Sequence, residues 1–376
     1  MKKLVFLILS FHICVLGLSQ NKKETVYSLV KQKRTVEWYK KQSELWNIHT
    51  QQNPNDEAGW LNLYTANRML KIYRAGVSPQ GLDSLVQVIA DKIPGTFEYH
   101  YIAYWNAGLR DLVKNQEHLR MAQQLGPDRI ELHDDLMTYY MVIRDRANIT
   151  NTANKWFESN DISAGIYTWC YNMLASVEDN AILITVGDND TYPCWILQEA
   201  KGIKPNVDVI NASLIMYQDY QSLYLKELGI PPFSPDTSKV KTWHQMQEAM
   251  IKHIRDNTDR PFYITIGAQN HLYSSFEEDM YIVGLVYKYS TEKFDNIAVI
   301  KRNYEKYYLL DYLKINLSND ISQGVIDGSN SNYLLSFITL YHHYIESEDG
   351  RANQIKSIIL NIAKSTDQLD EIAPLL

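Results

Sequence analysis

The sequence predicts a mixed α and α/β protein: N-terminal helical repeats, a small parallel-sheet α/β domain and a C-terminal helical hairpin. Three observations carry this expectation. Prolines at 54, 94 and 127 mark turns 40 and 33 residues apart in a stretch of helical pattern, near the period of stacked helix-turn-helix units. Between about 180 and 300, short β-branched runs alternate with helical segments, the mark of a parallel sheet with crossover helices. Leu334, Phe337, Ile338, Tyr341 and Ile345 then follow helical spacing, as do Ile355, Ile358, Ile359 and Ile362, so two amphipathic helices close the chain. The expected boundaries are a leader over 1–19, helical repeats over 24–178, the α/β domain over 179–315 and a C-terminal helical region over 316–376.

The leader rests on Lys2 and Lys3 ahead of a mostly apolar stretch from Leu4 to Leu18, with small residues Gly17 and Ser19 at its end. This is the pattern of a cleaved secretory signal, shorter than a comfortable membrane span, and cleavage is expected near Ser19. The alternative is an uncleaved anchor. No later run approaches about 18 apolar residues, so no transmembrane span is expected in the mature chain. The composition of the whole 376-residue chain, 45% hydrophobic and 22% charged, is that of a globular protein. A net charge of -7 and the lack of a long Lys/Arg run exclude a basic nucleic-acid-binding face. Cys170 and Cys194 are the cysteines left after the leader. They could pair in an oxidising compartment, but both sit among aromatic residues, which favours buried thiols. No C-x-x-C or His/Cys cluster supports a zinc site.

The clearest repeat runs from Thr96 to Pro127. Tyr99, Ile102, Ala103, Leu119 and Ala122 occupy the large and small packing positions of a helix pair, and a similar unit opens at Pro54. These segments resemble degenerate tetratricopeptide repeats over two to three units. Such pairs bury an apolar face only by stacking on a neighbour. The stack either holds a partner segment or supports the next domain.

In the α/β stretch, Ala181–Val186 reads as a strand buried on both faces. Gly187-Asp188-Asn189-Asp190-Thr191 ends it, and a helix is expected from Tyr192 to Ala200. Further strands are expected at 207–211 and 261–267, with helices over 219–228 and 243–255; residues 280–287 fit either a strand or a helix. Loops at the C-terminal edge of a parallel sheet carry ligands. Asp188 and Asp190 are hard oxygen donors suited to a divalent metal, Mg2+, Mn2+ or Ca2+. Asn189, Thr191 and Asn211 adjoin them, and Gln269, Asn270 and His271 follow the strand expected to end on the same edge. The unperturbed pKa of histidine lies near neutrality, so His271 could serve as a general base; the alternative is a plain hydrogen-bonding loop residue. The competing reading is structural: Gly187 permits the strand exit, Asp190 or Thr191 caps the helix, and Asp188 braces the turn.

Beyond these local signals, Gly187-Asp188-Asn189-Asp190-Thr191-Tyr192-Pro193, Trp195, Gln198-Glu199, Gly202, Lys204-Pro205-Asn206-Val207, Asn211 and Ser213-Leu214 form a block. It resembles the soluble C-terminal domain of bacterial protein O-mannosyltransferase-like membrane glycosyltransferases. Asn206 departs from that pattern, which has Asp. The family's membrane helices have no counterpart in this sequence, so the resemblance implies a domain on the outer side of the membrane and not transferase activity. The expected function is an exported, periplasmic or envelope-associated interaction module that binds a protein or glycan partner in envelope glycosylation or assembly. The alternative is a metal-dependent enzyme acting on a sugar or phosphate through Asp188 and Asp190.

Overall fold

The computed structural model describes residues 22–108, 112–236, 238, 240–315 and 320–376. The leader expected over 1–19 lies outside them. The chain divides into two compact units, one ending at Leu132 and the other beginning at His133.

The first unit holds helices α1 (Val36–Gln52), α2 (Glu57–Ile72), α3 (Pro79–Lys92), α4 (Phe97–Ala107) and α5 (Leu112–Leu125). The first four begin at side-chain caps. Thr35, Asp56, Ser78 and Thr96 each accept from the backbone N–H three residues on, which satisfies a donor that the helix itself leaves open. Helix α1 packs on α2, α4 packs on α5, and α3 touches α2 and α4. Trp60, Leu63, Tyr64, Leu82, Ile89 and Ile102 form a core cluster among them. The segment from Thr96 to Pro127 is thus a packed helix pair. Ala122 is fully buried on α5, and such a site has no room for three further carbons. Ala122→Leu is expected to lower stability by roughly 1–3 kcal/mol in chemical denaturation. An unchanged midpoint would contradict this packing.

The second unit opens with α6 (His133–Ile143), α7 (Arg146–Glu158) and α8 (Ala164–Ala175). These helices, grouped on the sequence with the repeats, join the unit that carries the sheet. Strands β1 (Ile182–Thr185), β2 (Asp208–Asn211), β3 (Phe262–Thr265), β4 (Met280–Ile282) and β5 (Val286–Tyr289) form one sheet in the order β2-β1-β3-β5-β4. β1 pairs parallel with β2 and with β3, and every residue of β1 is buried. The expected parallel sheet therefore holds for three strands. β5 pairs antiparallel with both β3 and β4, so residues 280–289 make a hairpin. The link from β4 to β5 is too short for the crossover that a parallel pair requires. Gly284 in that link has φ +125°, and a Cβ there would collide with the Tyr308 hydroxyl.

Helices α9 (Asp188–Lys201), α10 (Gln218–Glu227) and α11 (Trp243–Asp256) follow β1, β2 and the 228–242 segment. α9 packs on α7 and α8, and α10 packs on α6. After the sheet come α12 (Asn296–Arg302), α13 (Asp311–Lys314), α14 (Gln323–Asn330), α15 (Leu334–Glu346) and α16 (Ala352–Ser365). α15 and α16 pack together as the closing hairpin. One stripe residue is corrected: Ile345 is 51% exposed, and Tyr344 is buried in its place. Tyr344 can be buried because its hydroxyl donates to Glu305 at 2.7 Å.

Candidate functional site

The three parallel strands end on one edge, so the turns after β1, β2 and β3 share it. The turn after β1 is shorter than the sequence suggests. Helix α9 begins at Asp188 and not at Tyr192, and Asp188–Thr191 form its first turn. Pro193 sits inside this helix. It cannot donate to the carbonyl four residues back, that of Asn189. The Cys170 thiol donates to that carbonyl instead, at 3.1 Å. Cys170 and Cys194 are both free and buried.

Asp190 turns inward. Its two carboxylate oxygens accept from the backbone N–H groups of Val186 at 3.0 Å and Gly187 at 2.7 Å. Burial pushes its carboxyl up to about 6 despite these bonds, and the charge of Asp188 adds to the rise. Thr191 is equally committed. Its hydroxyl donates to the Gly187 carbonyl at 2.6 Å, pairs with the Thr185 hydroxyl at 2.7 Å and accepts from the Asn211 amide at 3.0 Å. The Asn211 side-chain oxygen accepts from the backbone N–H groups of Ser213 and Leu214, both at 2.9 Å. Asp190, Thr191 and Asn211 thus lock the exits of β1 and β2 to one another.

Asp188 is exposed, and Asn189 is half-buried beside it. Asp188 lies within electrostatic reach of Asp134, in the first turn of α6. Burial is the main reason that the Asp134 carboxyl is pushed up to about 7, and Asp188 is the next, with Asp161 adding a smaller share. The same two charges, after burial, hold the Tyr192 hydroxyl well above the usual phenol range. Tyr192 hydrogen-bonds with Thr138 of α6 at 2.7 Å and packs against Trp156 of α7 and Trp195 of α9. The site thus gathers Asp188 from α9 and Asp134 from α6 around a tyrosine that ties three helices together.

The turn after β3 makes separate contacts. Gln269 and Asn270 are exposed, and the Asn270 amide donates to Glu277 at 3.2 Å. The His271 ring stacks on His244 of α11, with centroids 4.1 Å apart. Burial first, and His244 second, hold His271 below the usual imidazole range. The shared edge expected for these residues is present, while the contacts of His271 run toward α11.

Each Asp190 oxygen already accepts a backbone N–H, so a divalent cation between Asp188 and Asp190 would share that oxygen with the backbone. Among the described residues, no three His, Cys, Asp or Glu side chains are grouped to hold a metal ion. Asp134 is the participant that sequence reasoning misses. Its only local signal is an acidic pair at a helix start, Asp134-Asp135, which ordinarily answers the helix dipole. Nothing in the sequence connects it to a turn more than fifty residues on.

Residues 166–225 match the family described as TMEM260-associated domain 2. The matched segment runs from α8 through β1, the Asp188–Thr191 turn, α9 and β2 into α10. No curated protein and no solved structure matches the chain. Among the described residues, no helix is long and apolar enough to cross a membrane.

Proposed function

We propose that this chain is an exported interaction module of the cell envelope that binds a protein or glycan partner in glycosylation or envelope assembly, through the sheet edge that carries Asp188. The match to a TMEM260-associated domain supports a glycosylation-related setting, as does the glycosyltransferase-like block read in the sequence. The carrying observation is the division of labour within the first turn of α9. Asp190 and Thr191 are committed to the fold, while Asp188 faces solvent beside Asp134. Two carboxylates on the ligand-bearing edge of a parallel sheet suit hydroxyl-rich or cationic groups, which donate to carboxylate oxygens. The metal-dependent reading asks Asp190 to serve two masters, the backbone and the cation, and is the weaker for it.

The test is photo-crosslinking in cells from position 189, with position 364 as control. Lys364 is exposed on α16. An adduct formed from 189, absent from 364 and lost when Asp188→Ala is added, is the expected result. No adduct, or equal adducts from both positions, would refute the assignment.

A further inference from the structure

The first unit contains a histidine pair that plays no part in the sheet-edge site. His100 lies on α4 and His118 on α5, and their Nδ1 atoms are 2.9 Å apart. The ring centroids are 5.1 Å apart, close to the nitrogen separation plus the two distances from ring centre to nitrogen. The nitrogens therefore point at one another nearly end-on. Two Nδ1–H groups cannot meet this way, so one nitrogen donates and the other accepts. A single proton thus occupies the space between two imidazole lone-pair directions. Tyr99 stands edge-on to His118, with centroids 5.6 Å apart, and walls one side of the pair.

We infer that His100 and His118 bind a divalent transition-metal ion of the Zn2+ or Cu2+ type, with the ion replacing the shared proton and solvent completing its coordination. The donor chemistry selects the class of ion. Imidazole nitrogen suits zinc and copper, whereas Mg2+ and Ca2+ require oxygen donors. Metal–nitrogen bonds of about 2.0–2.1 Å at a tetrahedral angle need the two nitrogens roughly 3.3 Å apart, a small opening from the observed contact. Burial holds both rings below the usual imidazole range, and for His100 the neighbouring His118 adds to it. Neutral imidazole is the ligating form. The charge of Glu117 acts on both rings and favours a cation between them. With two protein donors the ion exchanges readily, unlike one in a closed four-ligand structural site.

The full chain is titrated near neutral pH with Zn2+ by calorimetry and with Cu2+ by electron paramagnetic resonance. One leading equivalent with nitrogen coupling is expected. His100→Gln or His118→Gln should each weaken that equivalent by about tenfold or more, with the melting temperature in chelator nearly unchanged, because Gln retains a donor and an acceptor. Should a Gln variant fail to fold, the wild-type histidine resonances serve instead: Zn2+ should shift those of His100 and His118 before those of the other histidines. An unchanged leading affinity in both variants would overturn the inference. So would first shifts at other histidines, or a wild type that binds no tighter than the double variant.

Discussion

Asp190→Ala is expected to lower stability by roughly 2–4 kcal/mol, with or without divalent cations present. The carboxylate is the acceptor for the N–H groups of Val186 and Gly187, and alanine leaves both without it in a partly enclosed turn. Each abandoned donor costs about 1–3 kcal/mol. Removing a buried carboxylate gives a partial offset, since burial raises this group to about 6 and keeping it ionised at neutral pH therefore costs the native state part of what its bonds contribute. Thr191 and Asn211 meet at the same strand exits, so the loss spreads to the start of α9. Urea unfolding of the wild type and the variant, each with and without Mg2+, measures the effect. Equal stability of the two proteins would contradict the bracing role. Destabilisation confined to the cation-loaded state would point to a ligand role for Asp190.

Asp134→Asn should act in the opposite direction, and only above acidic pH. The folded-state value of Asp134 is about 7, raised above the ordinary aspartate value near 3.9. The folded protein therefore holds this proton more tightly than the unfolded chain does. Its contribution to stability is fully present below about pH 4 and is lost as pH rises toward 7. Ionised Asp134 thus costs the native state up to about 4 kcal/mol at pH 8. Asparagine keeps an oxygen for the Asp135 N–H, which Asp134 holds at 2.9 Å, and carries no charge. A gain of roughly 2–4 kcal/mol is expected near pH 8, shrinking below about 1 kcal/mol near pH 4. Melting curves across that range decide it, and a gain that does not depend on pH would refute the electrostatic origin. On the proposed reading, a partner that donates to this edge would relieve a carboxylate pair that the fold holds at a cost.

Much of this arrangement was legible in the residues. The run Ile182-Leu183-Ile184-Thr185 reads as a strand buried on both faces and is one. The shared edge of the turns after β1 and β3 follows from parallel pairing. The start of α9 lies four residues before the expected Tyr192: a helix begun at Tyr192 keeps Pro193 in its first turn, where no N–H is needed, and the thiol that satisfies the Asn189 carbonyl comes from Cys170 on another helix. Residues 280–287 leave strand and helix open because their apolar run is too short for periodicity to separate the two. The pairing of β5 with β3 supplies the missing constraint. The roles of Asp188 and Asp190 were not separable either. Two aspartates two residues apart are chemically alike, and only the path of the backbone turns one inward and the other to solvent. Asp134 was invisible because electrostatic proximity across helices leaves no local pattern.

On the proposed reading, Asp188 serves the partner while Asp190 serves the fold. The most direct test measures, on the single variant Asp188→Asn, both its melting temperature and its adduct yield from a photo-crosslinker at position 189. A melting temperature at or above that of the wild type, with the adduct lost, is the predicted result, because the change removes a charge that acts against Asp134 and Asp190. A lowered melting temperature with the adduct retained would contradict the account and return Asp188 to a bracing role.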